Sequence, residues 1–277
     1  MHYFLEIIPH AIWAVLGATV LYVTRKFRQW RRARGQGAIF AGLEANTLFV
    51  FPPRSEGASS FIPQMYIEDF LAINNLISAY IRSGLRPPEK IRDSESIGTH
   101  EKTNYNLILI CSSKSNKVTA EAIELIRGRS EHLKALVPYF EEAPDTPANP
   151  GETPLQIKWN RATYPSPSYT QSGPGYEDIA MVVKIQSPWA AQHKILIVAG
   201  IRGIGTWGAG EFLKKWWEDL HQRKGQSRRL GTTKQGDFAA IVSVKYEEQD
   251  IKDVTLLGVV DLDDHVVDSF GHAHPLT

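Results

Sequence analysis

Cysteine occurs only once in the sequence, at position 111, so no internal disulfide can form and a reducing compartment suits the chain. Cys111 lies inside the apolar run NLILICSS, where a small buried hydrophobe is the plain reading. Also missing are a G-x-S-x-G elbow, an H-E-x-x-H pair, a Walker phosphate loop and a C-x-x-C pair. No ready-made catalytic or metal-binding constellation is left. Internal repeats are absent. A broad basic face is missing too. The 277 residues carry 31 basic and 30 acidic side chains, and six of the basic ones crowd into RKFRQWRRAR, residues 25–34. Taking those six from 31, and Glu6 from 30, leaves 25 against 29, so the remainder is mildly acidic. That excludes nucleic-acid binding over a wide surface.

The amino terminus reads MHYFLEIIPHAIWAVLGATVLYVTRKFRQWRRARG. No full charge falls between Ile7 and Thr24, and from Phe4 the run is long enough to cross ~30 Å of hydrocarbon as a helix. Pro9 stands in the first turns, where a missing amide donor costs little. The positive charges follow the apolar run instead of preceding it, and no small-residue cleavage site appears, unlike a secretory leader. Residues 1–24 are therefore expected to be a transmembrane anchor and residues 25–40 a basic juxtamembrane segment. The positive-inside bias puts the amino terminus outside and residues 41–277 in the cytoplasm, at an inner membrane. Membrane lipid is the expected partner of residues 4–34, through burial and headgroup attraction. Ala14 and Ala18 form a small-xxx-small pair that suggests a homo-oligomer through the anchor.

Beyond the tether, NTLFVFPPR (46–54) reads as a buried strand stopped by prolines. YIEDFLAINNLISAYIRSG is expected to be a helix with Ile67, Phe70, Leu71, Ile77, Tyr80 and Ile81 on its core face and Gly84 as its stop. NYNLILICSS (104–113) is a second buried strand, and VTAEAIELIRG a second helix with Thr119, or else Asn116, as cap and Gly128 as stop. Seven of the 16 prolines lie between Ala143 and Gly175, around a short strand-like LQIKWN. This stretch reads as a hairpin-like excursion of one domain. Four more strands are expected at 178–188, 194–200, 237–248 and 253–262. The connections inside 178–200 and 237–262 are too short for helical crossovers, so those neighbours should be antiparallel. The expected class is α/β: an N-terminal transmembrane helix, then one three-layer, Rossmann-like domain with a mixed sheet.

The stretch KILIVAGIRGIGTWGAG carries the strongest local motif. Gly203, Gly205 and Gly208 satisfy G-x-G-x-x-G between a strand and a helix, the context in which backbone amides cradle a pyrophosphate. Arg202 and Thr206 add a charge and a hydroxyl. The acid that should bind a ribose ~20 residues on is missing, because that distance falls in the basic loop 223–236. Close packing of strand, helix, Trp207, Trp216 and Trp217 is the competing explanation. A second loop, CSSKSNKVT, also leads from a buried strand into a helix, with Ser112, Ser113, Lys114 and Asn116 as candidate ligand-binding residues. If its strand runs parallel to 194–200, both loops open at one sheet edge, where open α/β sheets take ligands. The carboxyl end holds Asp261, Asp263, Asp264, His265, Asp268, His272 and His274 at no recognised metal spacing, so no metal is expected.

The layout of one anchor and one compact cytoplasmic α/β domain resembles bacterial membrane-tethered sensors and effectors that respond to nucleotide signals. A ligand-binding module for a phosphorylated or nucleotide-like molecule is the first expectation, with no cofactor or catalytic residue assigned. An enzyme acting on a nucleotide or glycosyl-nucleotide is the alternative, with Ser112, Ser113 and Glu121 nearest to the loops. A protein-interaction scaffold using 143–175 and exposed tryptophans is the third.

Overall fold

The structure is a computed structural model. It describes residues 19–24, 26–27, 37, 39–53, 65–88, 90–144, 153–167, 176–216, 236–248 and 250–262. Ten strands are described: β1 (Thr47–Phe51), β2 (Lys90–Asp93), β3 (Asn106–Ile110), β4 (Tyr139–Glu142), β5 (Leu155–Trp159), β6 (Ala162–Pro165), β7 (Tyr176–Gln186), β8 (Lys194–Gly200), β9 (Phe238–Glu247) and β10 (Asp250–Asp261). The helices are α1 (Ile67–Arg82), α2 (Thr99–Asn104), α3 (Lys117–Gly128), α4 (Glu131–Leu136) and α5 (Gly203–Glu211), which runs on into a π-helical turn, Phe212–Trp216.

The fold is a mixed α/β one. Seven strands form one sheet in the order β10-β9-β7-β8-β3-β1-β2. β2, β1, β3 and β8 are mutually parallel, whereas β7, β9 and β10 join antiparallel. The short connections β7–β8 and β9–β10 give antiparallel pairs, as their lengths require. The central strands are apolar on successive residues because both faces are covered. Against one face, α1, α5 and the π-helical turn pack Ala72, Leu76, Ala209 and Phe212 onto Phe49, Ile108, Val198 and Val242. Against the other, α3, α4 and β5 pack Val118, Ile126, Leu133 and Ile157 onto Leu48, Leu109, Met181 and Ile197. β4, β5 and β6 make a separate three-stranded antiparallel sheet around the proline-rich stretch.

Two local features of the helices differ from the leading expectation. α1 buries Ala72, Ile73, Asn75, Leu76, Ala79 and Tyr80, while Ile67, Phe70 and Ile81 are exposed. The buried side combines large apolar residues with small ones at the contact with α5: a Cβ on Gly210 would stand 3.0 Å from the Ala72 backbone. Of the two caps the sequence offers for α3, it is Asn116 and not Thr119 that serves. Its Oδ1 accepts the amides of Val118 and Thr119, one turn earlier than the apolar pattern suggests. The stop of α1 has an ordinary cause. Gly84 takes φ +78°, the Leu85 amide donates back to the Tyr80 carbonyl, and the Gly84 amide donates to that of Ile81.

Among the described residues no helix is long and apolar enough to cross a membrane. The greater part of the expected span, residues 1–18, lies outside the described residues, as do the basic loop 217–235 and the Asp/His-rich tail from 263. Residues 19–24 are helical, with Val20, Leu21, Tyr22 and Val23 exposed.

Candidate functional site at the carboxyl edge of the parallel strands

β3 and β8 are neighbours in parallel register, Leu107 beside Ile195 through Ile110 beside Val198. The loops that follow them therefore open at the same edge. β3 feeds α3 on one face and β8 feeds α5 on the other. Adjacent parallel strands whose connections leave toward opposite faces form a topological switch point, and the crevice there is where open α/β sheets take ligands. α1 follows β1 on the α5 side, and its first turn brings Glu68 and Asp69 to this edge.

At the glycine turn the amides already hold an anion, and it belongs to the protein. Asp178, fully buried in β7, accepts the amides of Arg202 and Gly205 through Oδ2, both at 3.0 Å. Its Oδ1 accepts the Ile179 amide at 2.9 Å and the Ser166 hydroxyl at 2.7 Å. Burial pushes its pKa up to about 6, partly offset by these hydrogen bonds and by the Arg202 charge, so the group is mainly ionised at neutral pH. A carboxylate at a helix start is favourable for the same reason a phosphate would be.

The glycines allow close approach. A Cβ on Gly205 would lie 2.4 Å from Asp178 Oδ2, one on Gly208 would lie 2.4 Å from the Val244 methyls, and one on Gly203 would lie 3.2 Å from the Glu68 side chain. Thr206 turns its hydroxyl inward to accept the Gly200 amide at 2.9 Å. Most of this motif is therefore spent on seating α5 against β7, β8 and β9.

The second loop divides similarly. Asn116 is buried and fully engaged: besides capping α3, its Nδ2 donates to the carbonyls of Ile110 (2.8 Å) and Val50 (3.3 Å), pinning β3 to β1. Ser112 is buried, Ser113 half-buried, and Lys114 exposed with Nζ donating to the Thr153 carbonyl at 3.2 Å. Glu121 is not brought to these loops. Its partners are Lys102 and the Trp189 indole, the latter at 2.9 Å, from elements at the opposite edge. Burial raises its pKa, but those hydrogen bonds outweigh that and hold it low.

The meeting point of the three elements is Cys111, which stands at φ +78°, a left-handed conformation uncommon for a residue with a side chain. Its thiol pKa is pushed up to about 12 by burial and then by the nearby Asp69 charge, against smaller effects of the Ser112 amide and the Ser115 and Thr206 hydroxyls. Asp69, 1% exposed, has no N–H or O–H donor on either carboxylate oxygen, and the nearby Cys111 thiol is the one weak donor facing it. Burial first, and Glu68 second, push it up to about 7, with only the Cys111 thiol acting against them. Neither acid stands out by motif: Asp69 has the plain explanation of an acid in the first turn of a helix, and Asp178 belongs to no recognised spacing. The available signal was an acid at a position otherwise reading as buried: Asp69 at helical spacing with Ala72, Ile73 and Leu76, and Asp178 at the head of the apolar run of β7.

Among the described residues no group of three or more His, Cys, Asp or Glu side chains is placed to hold a metal. An open pocket of about 380 Å³ lies at the opposite edge, lined among others by Glu44, Asn46, Arg86, Lys90 and Tyr105. There Lys90 Nζ donates to the Tyr105 hydroxyl at 2.8 Å. Compared with known proteins, the chain matches no family model, no curated protein and no solved structure.

Proposed function

We propose that this chain is a membrane-anchored, cytoplasmic ligand-binding domain of sensor or effector type. It takes a phosphorylated or nucleotide-like small molecule at the switch point between β3 and β8. The observation that carries the site is Asp69: a buried carboxylate with no N–H or O–H donor on either oxygen, at the edge where two polar loops converge. Buried acceptors without partners are costly, and ligand hydroxyls such as those of a ribose supply the donors. Because Asp178 fills the amides of Arg202 and Gly205, the ligand sits on the Ser112–Lys114 side of the edge, with the Lys114 ammonium available to an anionic group. The anchor reading is supported by the apolar run ending at Thr24 and by the exposed apolar side chains at 20–23.

The test is thermal unfolding of the full chain in detergent against mononucleotides, cyclic nucleotides, dinucleotides and nucleotide sugars. A ligand at ~100 times its dissociation constant that binds only the folded state adds ~2.7 kcal/mol of stability. The increment should shrink in Asp69→Asn and in Lys114→Glu, each compared with its own ligand-free melt. No increment from any compound, or one that survives both substitutions, defeats the site.

Turnover is the second reading, favoured by one feature: Cys111 sits on a left-handed strand-to-helix turn beside a carboxylate. The raised thiol pKa leaves Cys111 protonated and weakly nucleophilic at neutral pH, which ranks this reading below binding. Product analysis after incubation with any compound that shifts the melt separates the two.

A further inference from the structure

α1 has a second apolar stripe on which Ile67, Phe70 and Ile81 stand exposed, while Ile77 at its border is partly buried against the core. At 100° per residue, positions 67, 70, 74, 77, 78 and 81 fall within roughly a third of the helix circumference. They are Ile, Phe, Asn, Ile, Ser and Ile, without one charge. Ile67, Phe70 and Ile81 are 58%, 54% and 61% exposed, on a 16-residue helix whose opposite face is seated in the core. Large exposed apolar side chains aligned along one helix mark an interaction surface more often than scattered ones do.

The position of the amino-terminal segment says what covers this face. The chain reaches the domain at the carboxyl end of α1: the Gly37 carbonyl accepts the Phe40 amide at 3.1 Å, and a Cβ on Gly37 would meet Ser83 at 3.9 Å. Phe40 then packs on Tyr80 with ring centroids 4.2 Å apart. The apolar run ends at Thr24, and residues 25–36 between it and Gly37 are rich in arginine. Even fully extended, those residues span only roughly 40 Å. α1, itself ~24 Å long, is thus tethered by its carboxyl end within ~40 Å of the end of the apolar run.

We infer that the Ile67–Phe70–Ile81 face of α1 lies in the interfacial layer of the bilayer that holds the chain's own anchor, with the helix roughly in the membrane plane. The inference rests on the anchor reading. The face supplies the apolar contact of an interfacial helix, and residues 25–34 supply the cationic attraction to anionic headgroups. A domain held this way keeps one orientation to the membrane.

The experiment uses the full chain in phosphatidylethanolamine–phosphatidylglycerol vesicles doped with a diazirine phospholipid, photolysed and mapped by peptide mass spectrometry. Label is expected on residues 4–24 and on α1, and not on α3 of the opposite face. The double variant Ile67→Glu/Ile81→Glu changes only exposed positions. It should cut α1 labelling several-fold and leave anchor labelling intact. Label on the anchor with none on α1 overturns the docking face and leaves the anchor reading standing. Label on neither overturns both. Label on α1 that is unchanged in the double variant also overturns the docking face.

Discussion

The carboxylate of Asp178 and the amide of Gly205, 27 positions apart in the chain, meet at 3.0 Å and close the glycine turn from inside. A motif whose spacing suggests a phosphate cradle is here a socket for the protein's own anion. The hydrogen bonds and the space vacated by the missing Cβ serve one contact, and this determines how substitutions at the turn behave.

Gly205→Ala should destabilise the ligand-free protein, because its Cβ would fall 2.4 Å from Asp178 Oδ2. Overpacking of this kind costs ~1–3 kcal/mol. For a chain of this size that is a fall in Tm of several degrees, about 2–4 °C per kcal/mol. A melt unchanged without ligand would show that the turn is not a packing corner.

Asp69→Asn should act in the opposite direction. The folded protein raises the Asp69 pKa from 3.8 to about 7, so its ionisation opposes folding. The stability associated with the neutral form is complete below pH 3.8 and is lost as pH rises through 7. Removing the charge should stabilise the protein at pH 7.5 by up to about 4 kcal/mol, at about 1.4 kcal/mol per pH unit, with the advantage vanishing near pH 4. Denaturant melts of both proteins across pH 4–8 check this, and a difference independent of pH contradicts it.

Asn116→Ala should lower stability without weakening the binding of any ligand. It removes a helix cap worth ~1 kcal/mol and leaves the buried Ile110 carbonyl without its side-chain donor. Paired melts and titrations separate stability from affinity here. A lost affinity at wild-type stability would return Asn116 to the ligand site.

Lys194→Met should be the most damaging of these substitutions. Lys194 Nζ lies 2.7 Å from Oδ2 and 2.8 Å from Oδ1 of the fully buried Asp237, at the edge opposite the candidate site. Leaving that carboxylate without its cation costs ~3–5 kcal/mol. Asp237→Asn together with Lys194→Met should recover part of the loss, which a double-mutant cycle in denaturant measures.

Much of the sheet was readable in advance. Runs such as NLILI and KILIVAG are apolar on consecutive residues because helices or strands cover both faces. The short gaps at 187–193 and 248–249 force antiparallel pairing. β2 was missed because Lys90–Asp93 is an edge strand with little buried surface and no apolar pattern. Of the core face expected for α1, Tyr80 is buried and Ile77 packs on the core, whereas Ile67, Phe70 and Ile81 face out: both sides carry large apolar residues, and the close contact of Ala72 with Gly210 of α5 lies on the other side.

At the candidate site the division is sharper. Residue order alone determined that two polar loops follow buried strands and lead into helices, since strand, turn and cap chemistry are local. Only the tertiary structure decided what each loop is for. Asp178 reaches the glycine turn because β7 pairs antiparallel with β8, setting Ala180 beside Gly200. Asp69 lies buried because α1 packs its Ala face onto α5. Both depend on contacts between residues far apart in the chain, where hydrogen-bond geometry and close packing, and not local propensity, determine which polar group finds a partner.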